Sequence, residues 1–129
     1  MILANLRPIV PGNARGPALK VESLSFYGEV DPVRGVLVAD GRPIRGRILV
    51  IGRSRGSTVG SYIIYALKYY GNEPAAIVMT KSEPIVITGA IIAGIPLYEG
   101  LPREVFEAIR DNDCLEVEER GVLRKLGHC

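Results

Sequence analysis

The feature that most constrains this chain is the stretch from Gly46 to Met79. An apolar run, RILVIG at 47–52, leads into the polar loop RSRGST and then into helical periodicity. Runs of that length rich in β-branched residues suit a strand buried on both faces. Val59, Ile63, Ala66, Leu67 and Tyr70 fall at i, i+4, i+7, i+8 and i+11, one face of a helix. Lys68 lies in the expected last turn and Gly71 at the position where a left-handed residue closes a helix. EPAAIVM at 73–79 is a second apolar strand. Two buried strands joined by a helix form a β-α-β unit, which requires parallel pairing and a sheet covered by helices.

Other elements arrange around this unit. Residues 2–10 and 17–24 read as strands on either side of a turn at Pro11–Gly16, and Val36–Ala39 as a short strand before the Asp40-Gly41 turn. SFYGEVDPVRG at 25–35 is punctuated by Gly28, Pro32 and Gly35, so a structured loop is expected, with Phe26 and Tyr27 inward and Glu29, Asp31 and Arg34 outward. Asp31-Pro32 reads as a turn initiator. Residues 82–94 are expected to form a loop and a helical turn near Thr88–Ala93, followed by a strand at Ile95–Tyr98. Pro102–Asp111 reads as a helical turn, and 113–118 with 121–126 as a closing hairpin. The 129 residues carry no repeat, low-complexity tract or linker, so a single α/β domain is expected.

Composition excludes several function classes. A net charge of +2 without a basic run, no Trp and six per cent aromatics give nucleic acid little to bind. No apolar run approaches the roughly 20 residues of a membrane span, and Arg7, Pro8 and Pro11 interrupt the N-terminus too early for a signal peptide. A cytoplasmic protein is expected. Cys114 and Cys129 are distant in sequence and read most simply as free thiols, although a disulfide stays open. With His128 the only histidine, no metal-ligand spacing is present. The chain has no Gln and four Asn, a shortage of heat-labile amides that points to a thermophile.

The loop between strand and helix carries the chemistry. Free N–H groups at a helix start favour anions, and Arg53 and Arg55 can fork onto carboxylate or phosphate. Gly56 and Gly60 permit close approach of a ligand or another chain. Ser57 or Thr58 would cap the helix, and capping is the simplest role for either. The pattern is not a Walker loop, since no Lys precedes the hydroxyl residue, and no Ser-centred triad is available with one histidine near the C-terminus.

LSFYGEVDPVRG (24–35), GRSRGSTVGSYIIYAL (52–67), EPAAIVM (73–79) and IVITGAIIAGIP (85–96) together resemble the small subunit of the aconitase X family, in order and spacing. The resemblance implies a swivelling β/β/α domain like the fourth domain of aconitases, with compact barrel-like sheets and few helices. It implies a hydro-lyase active only with a large subunit that carries an iron–sulfur cluster, expected to be [4Fe-4S]. The substrate implied is a small phosphorylated hydroxy acid: archaeal members resemble an enzyme dehydrating (R)-5-phosphomevalonate to trans-anhydromevalonate 5-phosphate. The alternatives are a dehydratase of hydroxyproline-type acids and a non-catalytic anion- or partner-binding domain. The family's serine in the GST motif carries over onto Ser57 as proton acceptor, with Ser61 second. Arg53, Arg55, Gly56 and Thr58 are expected at the substrate on electrostatic grounds.

Overall fold

The computed structural model describes all residues from Met1 to Cys129. Ten strands and four helices follow in the order β1 (Ile2–Asn5), β2 (Arg7–Val10), β3 (Ala14–Leu24), α1 (Phe26–Glu29), β4 (Val30–Asp31), β5 (Val36–Leu37), β6 (Ile48–Ser54), α2 (Gly60–Tyr69), β7 (Ala76–Met79), α3 (Pro84–Ala93), β8 (Leu97–Glu99), α4 (Arg103–Ala108), β9 (Cys114–Val117) and β10 (Val122–Leu126). Eight strands form one sheet in the order β1-β10-β9-β3-β6-β7-β8-β2, and β4 and β5 form a separate ribbon. The expected β-α-β unit is present: β6 runs parallel to β7, with Ile48 opposite Ala76 and Ile51 opposite Met79.

The N-terminal run expected as one strand is broken at Leu6. Its halves lie at opposite edges of the sheet, β1 against β10 and β2 against β8. Both edges therefore meet at one buried residue, and the sheet curls into a nearly closed barrel. β3 performs a similar change of partner: Ala14–Pro17 pair antiparallel with β9, then Ala18–Leu24 pair parallel with β6. The barrel-like sheet with few helices agrees with the expected fold.

Alternation along the parallel strands divides the core in two. Ile48 and Val50 of β6, Ala76 and Val78 of β7 and Tyr98 of β8 point into the barrel with Leu6, Phe106, Leu115 and Leu123. Leu49, Ile51, Ile77, Met79 and Leu97 point the other way, against Ile64 and Leu67 of α2 and Val86, Ala90 and Ala93 of α3. Burial on both faces is what made these strands read as unbroken apolar runs.

Several expectations are corrected. The inward stripe of α2 is Gly60, Ile64 and Leu67, with Val59 and Tyr70 exposed at 38% and 50%. The stripe is rotated because α3 packs beside α2, and Gly60 leaves room for the side chain of Ile85. The helical turn near Thr88–Ala93 is instead the ten-residue α3, with Pro84 in its first turn and Gly94 closing it at φ 68°. Gly89 meets Ile64 where the two helices touch, which leaves no room for a side chain. Tyr27 is exposed while Phe26 is buried.

The cysteines are also paired rather than free. β10 runs back along β9 and sets Leu126 opposite Cys114, so the three-residue tail brings Cys129 to it, with Cα atoms 5.2 Å apart. The pairing runs against the expectation of free thiols, which rested on a reducing cytosol. Closing a 15-residue separation contributes about 3 kcal/mol. The double variant Cys114→Ser/Cys129→Ser should therefore melt about 10 °C lower, and reductant should lower the wild-type melting temperature by a similar amount. Calorimetry with and without reductant, beside a thiol count on the denatured chain, checks both.

Candidate functional site

β6 leaves the core at Gly52, which is pressed against the backbone of Glu22, and the chain surfaces at Arg53. The Arg55 N–H donates to the carbonyl of Leu24 at 2.8 Å, prolonging the contact with β3. Its guanidinium donates to both oxygens of Glu29 at 2.7 Å and to the Ser23 hydroxyl at 2.8 Å. Glu29 also accepts from the Ser25 N–H at 2.7 Å. The loop and the α1 turn are thus clamped together, and Arg55 spends its fork on that clamp. The guanidinium first, and the Ser25 N–H second, hold the Glu29 carboxyl below its ordinary value of 4.5. Asp31 accepts from the N–H groups of Val33 and Arg34, the turn expected at Asp31-Pro32.

Ser57 and Thr58 lie ahead of α2 without capping it. The cap position is Val59, which is already helical, and no side-chain cap is made. Ser57 is half-buried, and its hydroxyl oxygen accepts one hydrogen bond, from the Val59 N–H at 3.3 Å. An N–H aimed at a serine oxygen favours its anion, and the positive end of α2 acts in the same direction. Thr58 is exposed, and its carbonyl accepts from the Ser61 hydroxyl at 3.0 Å. Gly56 and Gly60 do allow close approach, but the neighbours are this chain's own: Glu83 and Ile85 at Gly56, Ile85 and Phe26 at Gly60.

Beside the loop a cleft of about 360 Å³ opens across the ends of β6 and β7, lined by Gly52, Arg53, Ser54, Thr80, Lys81, Ser82 and Glu83. The Thr80 hydroxyl donates to the Gly52 carbonyl and the Ser82 hydroxyl to Glu99, which ties the two strand ends to each other and to β8. The Ser82 hydroxyl, ahead of Arg7 and Lys81, lowers the Glu99 carboxyl below its ordinary range. The sequence reading named Arg53 here and missed Thr80, Lys81, Ser82 and Glu83. The available signal was TKSE directly after an apolar strand, since ligands of parallel sheets gather at the carboxyl ends of strands.

These features carry a known stamp. The model of the aconitase X swivel domain matches residues 3–124. The chain belongs to the aconitase X swivel-domain family. A protein of Aeropyrum pernix named phosphomevalonate dehydratase small subunit is 58% identical over 94% of this chain and 91% of its own length. One of the same name from Thermococcus gammatolerans is 48% identical over 74% of this chain and 77% of its own. The crystal structure of Thermococcus kodakaraensis aconitase X in its holo-form superposes with a TM-score of 0.85 and 38% identity, covering 95% of this chain and 98% of that one.

For an aconitase X chain the iron–sulfur cluster is the group to test. Its thiolate ligands do not fit here: both cysteines are consumed by one disulfide, and no group of three His, Cys, Asp or Glu side chains is placed to hold a metal. No helix is long and apolar enough to cross a membrane.

The clamp yields a test of sign. A depressed Glu29 contributes stability above its unfolded value, lost as pH falls through the lower folded one. The Ser25 amide NMR signal should titrate with a midpoint below 4.5 in the wild type. In Arg55→Ala the midpoint should rise, with a stability loss of at most about 1 kcal/mol because the pair is exposed.

Proposed function

We propose that this chain is the small subunit of a hydro-lyase that dehydrates (R)-5-phosphomevalonate to trans-anhydromevalonate 5-phosphate. The observation that carries the reading is the 58% identity with a phosphomevalonate dehydratase small subunit across 94% of the chain. Dehydration of a 3-hydroxy acid needs a base for the proton next to the carboxylate. Ser57 is that base in this reading: its hydroxyl is free of capping, and its one bond is a donated N–H. Arg55 positions the loop through Glu29 rather than holding substrate. Gly56, Thr58 and Ser61 shape the turn around Ser57, and their reach to substrate is through backbone and hydroxyl groups.

The cluster, of [4Fe-4S] type on the family resemblance, belongs in this reading to the large subunit, and the complex is cytoplasmic. The face that receives that subunit adjoins the serine turn. Ser61, Tyr62, Tyr65, Thr88 and Ile92 line a groove between α2 and α3, with Tyr62 72% and Ile92 61% exposed. Exposed apolar residues grouped in this way mark an interaction surface, and its continuity with Ser61 is what favours the large subunit as occupant.

Ser57→Ala should lower dehydration by about 100-fold or more in the anaerobically reconstituted complex, with subunit association and cluster unchanged. Altered affinity with near-wild-type turnover would instead make the chain a binding domain. Tyr65→Glu and Ile92→Glu should abolish co-purification with the large subunit while leaving the melting temperature of the isolated chain within a few degrees. Gel filtration and calorimetry read the two separately.

A further inference from the structure

We infer that the cleft between the ends of β6 and β7 is a phosphate subsite whose ligands are Arg53, Lys81 and the N-terminus of α3. Four observations converge there. Arg53 and Lys81 line one cleft, and neither enters any ion pair of the chain. Two of the acids nearest them are engaged elsewhere. Glu22, which feels the charge of Arg53, is held by Arg103 at 2.5 Å, and Glu99, which feels Lys81, is held by Arg7 at 3.3 Å and by Ser82. Glu83 is the one carboxylate in the wall, and it lies against Gly56 on the side of the serine loop.

The third observation is the start of α3. This ten-residue helix opens directly from the cleft wall, its cap position is Glu83, and no side chain caps it. Pro84 opens the helix without an N–H, so the uncapped donors are the N–H groups of Ile85 and Val86, with the partial positive charge of a helix start behind them. Fourth, the cleft has the size of a small-molecule site and no hydrophobic residue in its wall. Two cations, free N–H donors and the Ser54 hydroxyl, lining one cleft, are complementary to a tetrahedral dianion.

Assigning the phosphoryl end of the substrate to this cleft rests on the dehydratase reading; the preference for phosphate does not. The proton removed in that reaction lies beside the carboxylate, so the carboxylate end must approach Ser57. The phosphoryl group is at the far end of the same molecule. From Ser57 the chain leads back through Gly56, against which Glu83 packs, to the Arg53 wall. One extended ligand can thus place its carboxylate at the helix α2 start and its phosphate at the helix α3 start.

The test uses inorganic phosphate and the full chain. In ¹⁵N–¹H NMR titrations, phosphate should shift the amides of residues 52–54, 80–83, 85 and 86, and Arg53→Gln and Lys81→Gln should each weaken binding roughly tenfold. Unshifted amides, or variants that bind as the wild type, overturn the subsite. Both side chains are exposed, and a melting curve for each variant verifies the fold. In the reconstituted complex Lys81→Gln should raise KM for 5-phosphomevalonate roughly tenfold with kcat little changed. Phosphate binding that needs both residues in a complex unable to dehydrate 5-phosphomevalonate would retain the subsite and discard the substrate reading. An active complex whose KM ignores both variants would do the reverse.

Discussion

Leu6 is the only residue between β1 and β2, and those strands sit at opposite edges of the eight-stranded sheet. Everything else depends on that junction holding. The Leu6 N–H donates to the Gly121 carbonyl at 2.7 Å, and its side chain is buried inside the barrel. Gly121 answers with φ 106° and with no side chain, since a Cβ there would collide with the Leu6 carbonyl. Tyr98 closes the same end: its hydroxyl donates to the Gly12 carbonyl at 2.7 Å and accepts from the Gly12 N–H at 3.0 Å. Desolvation raises its pKa above the ordinary value of 10.0, so it stays a neutral donor. A sheet joined edge to edge in this way leaves β6 and β7 central, covered on one face by the barrel core and on the other by α2 and α3.

That position determines what the strand ends can do. Both parallel strands stop on the same side, and each leads through a loop of four or five residues into the start of a helix. Two helix N-termini consequently stand side by side, an arrangement favourable to anions before any side chain is considered. The side chains then divide the work. Arg55 is neutralised by Glu29 and fixes the serine loop to α1, whereas Arg53 and Lys81 keep their charge for the cleft. Ser57, released from capping, is left at the junction with a single N–H pointed at its oxygen.

Much of this was legible because it is local. The β6-α2-β7 unit, the closing hairpin and the chemical importance of the 53–61 loop follow from periodicity and turn residues. The failures were non-local. Nothing in ILANLRPIV says that its halves belong to opposite sheet edges, because the signal is a pairing with β10 and β8 more than eighty residues away. α3 was shortened to a turn because its β-branched residues disfavour a helix in isolation, and burial against α2 overrides that preference. The cysteine pairing depended on β10 returning along β9. Lys81 was missed although it follows a recognised strand, since a single lysine gains meaning only when Arg53 is found across the cleft. Arg55 shows the same limit in reverse: its charge pointed to a ligand, and its partner turned out to be Glu29.

In the proposed dehydratase this chain supplies the proton acceptor to a site completed by a partner. Solvent isotope exchange tests it without relying on net dehydration. Substrate incubated in D₂O with the reconstituted complex should acquire deuterium next to its carboxylate, and it should not with either subunit alone. With Ser57→Ala in an intact, substrate-binding complex, that exchange should fall to background. Exchange at the wild-type rate in the variant, or in the large subunit by itself, would contradict Ser57 as the proton acceptor.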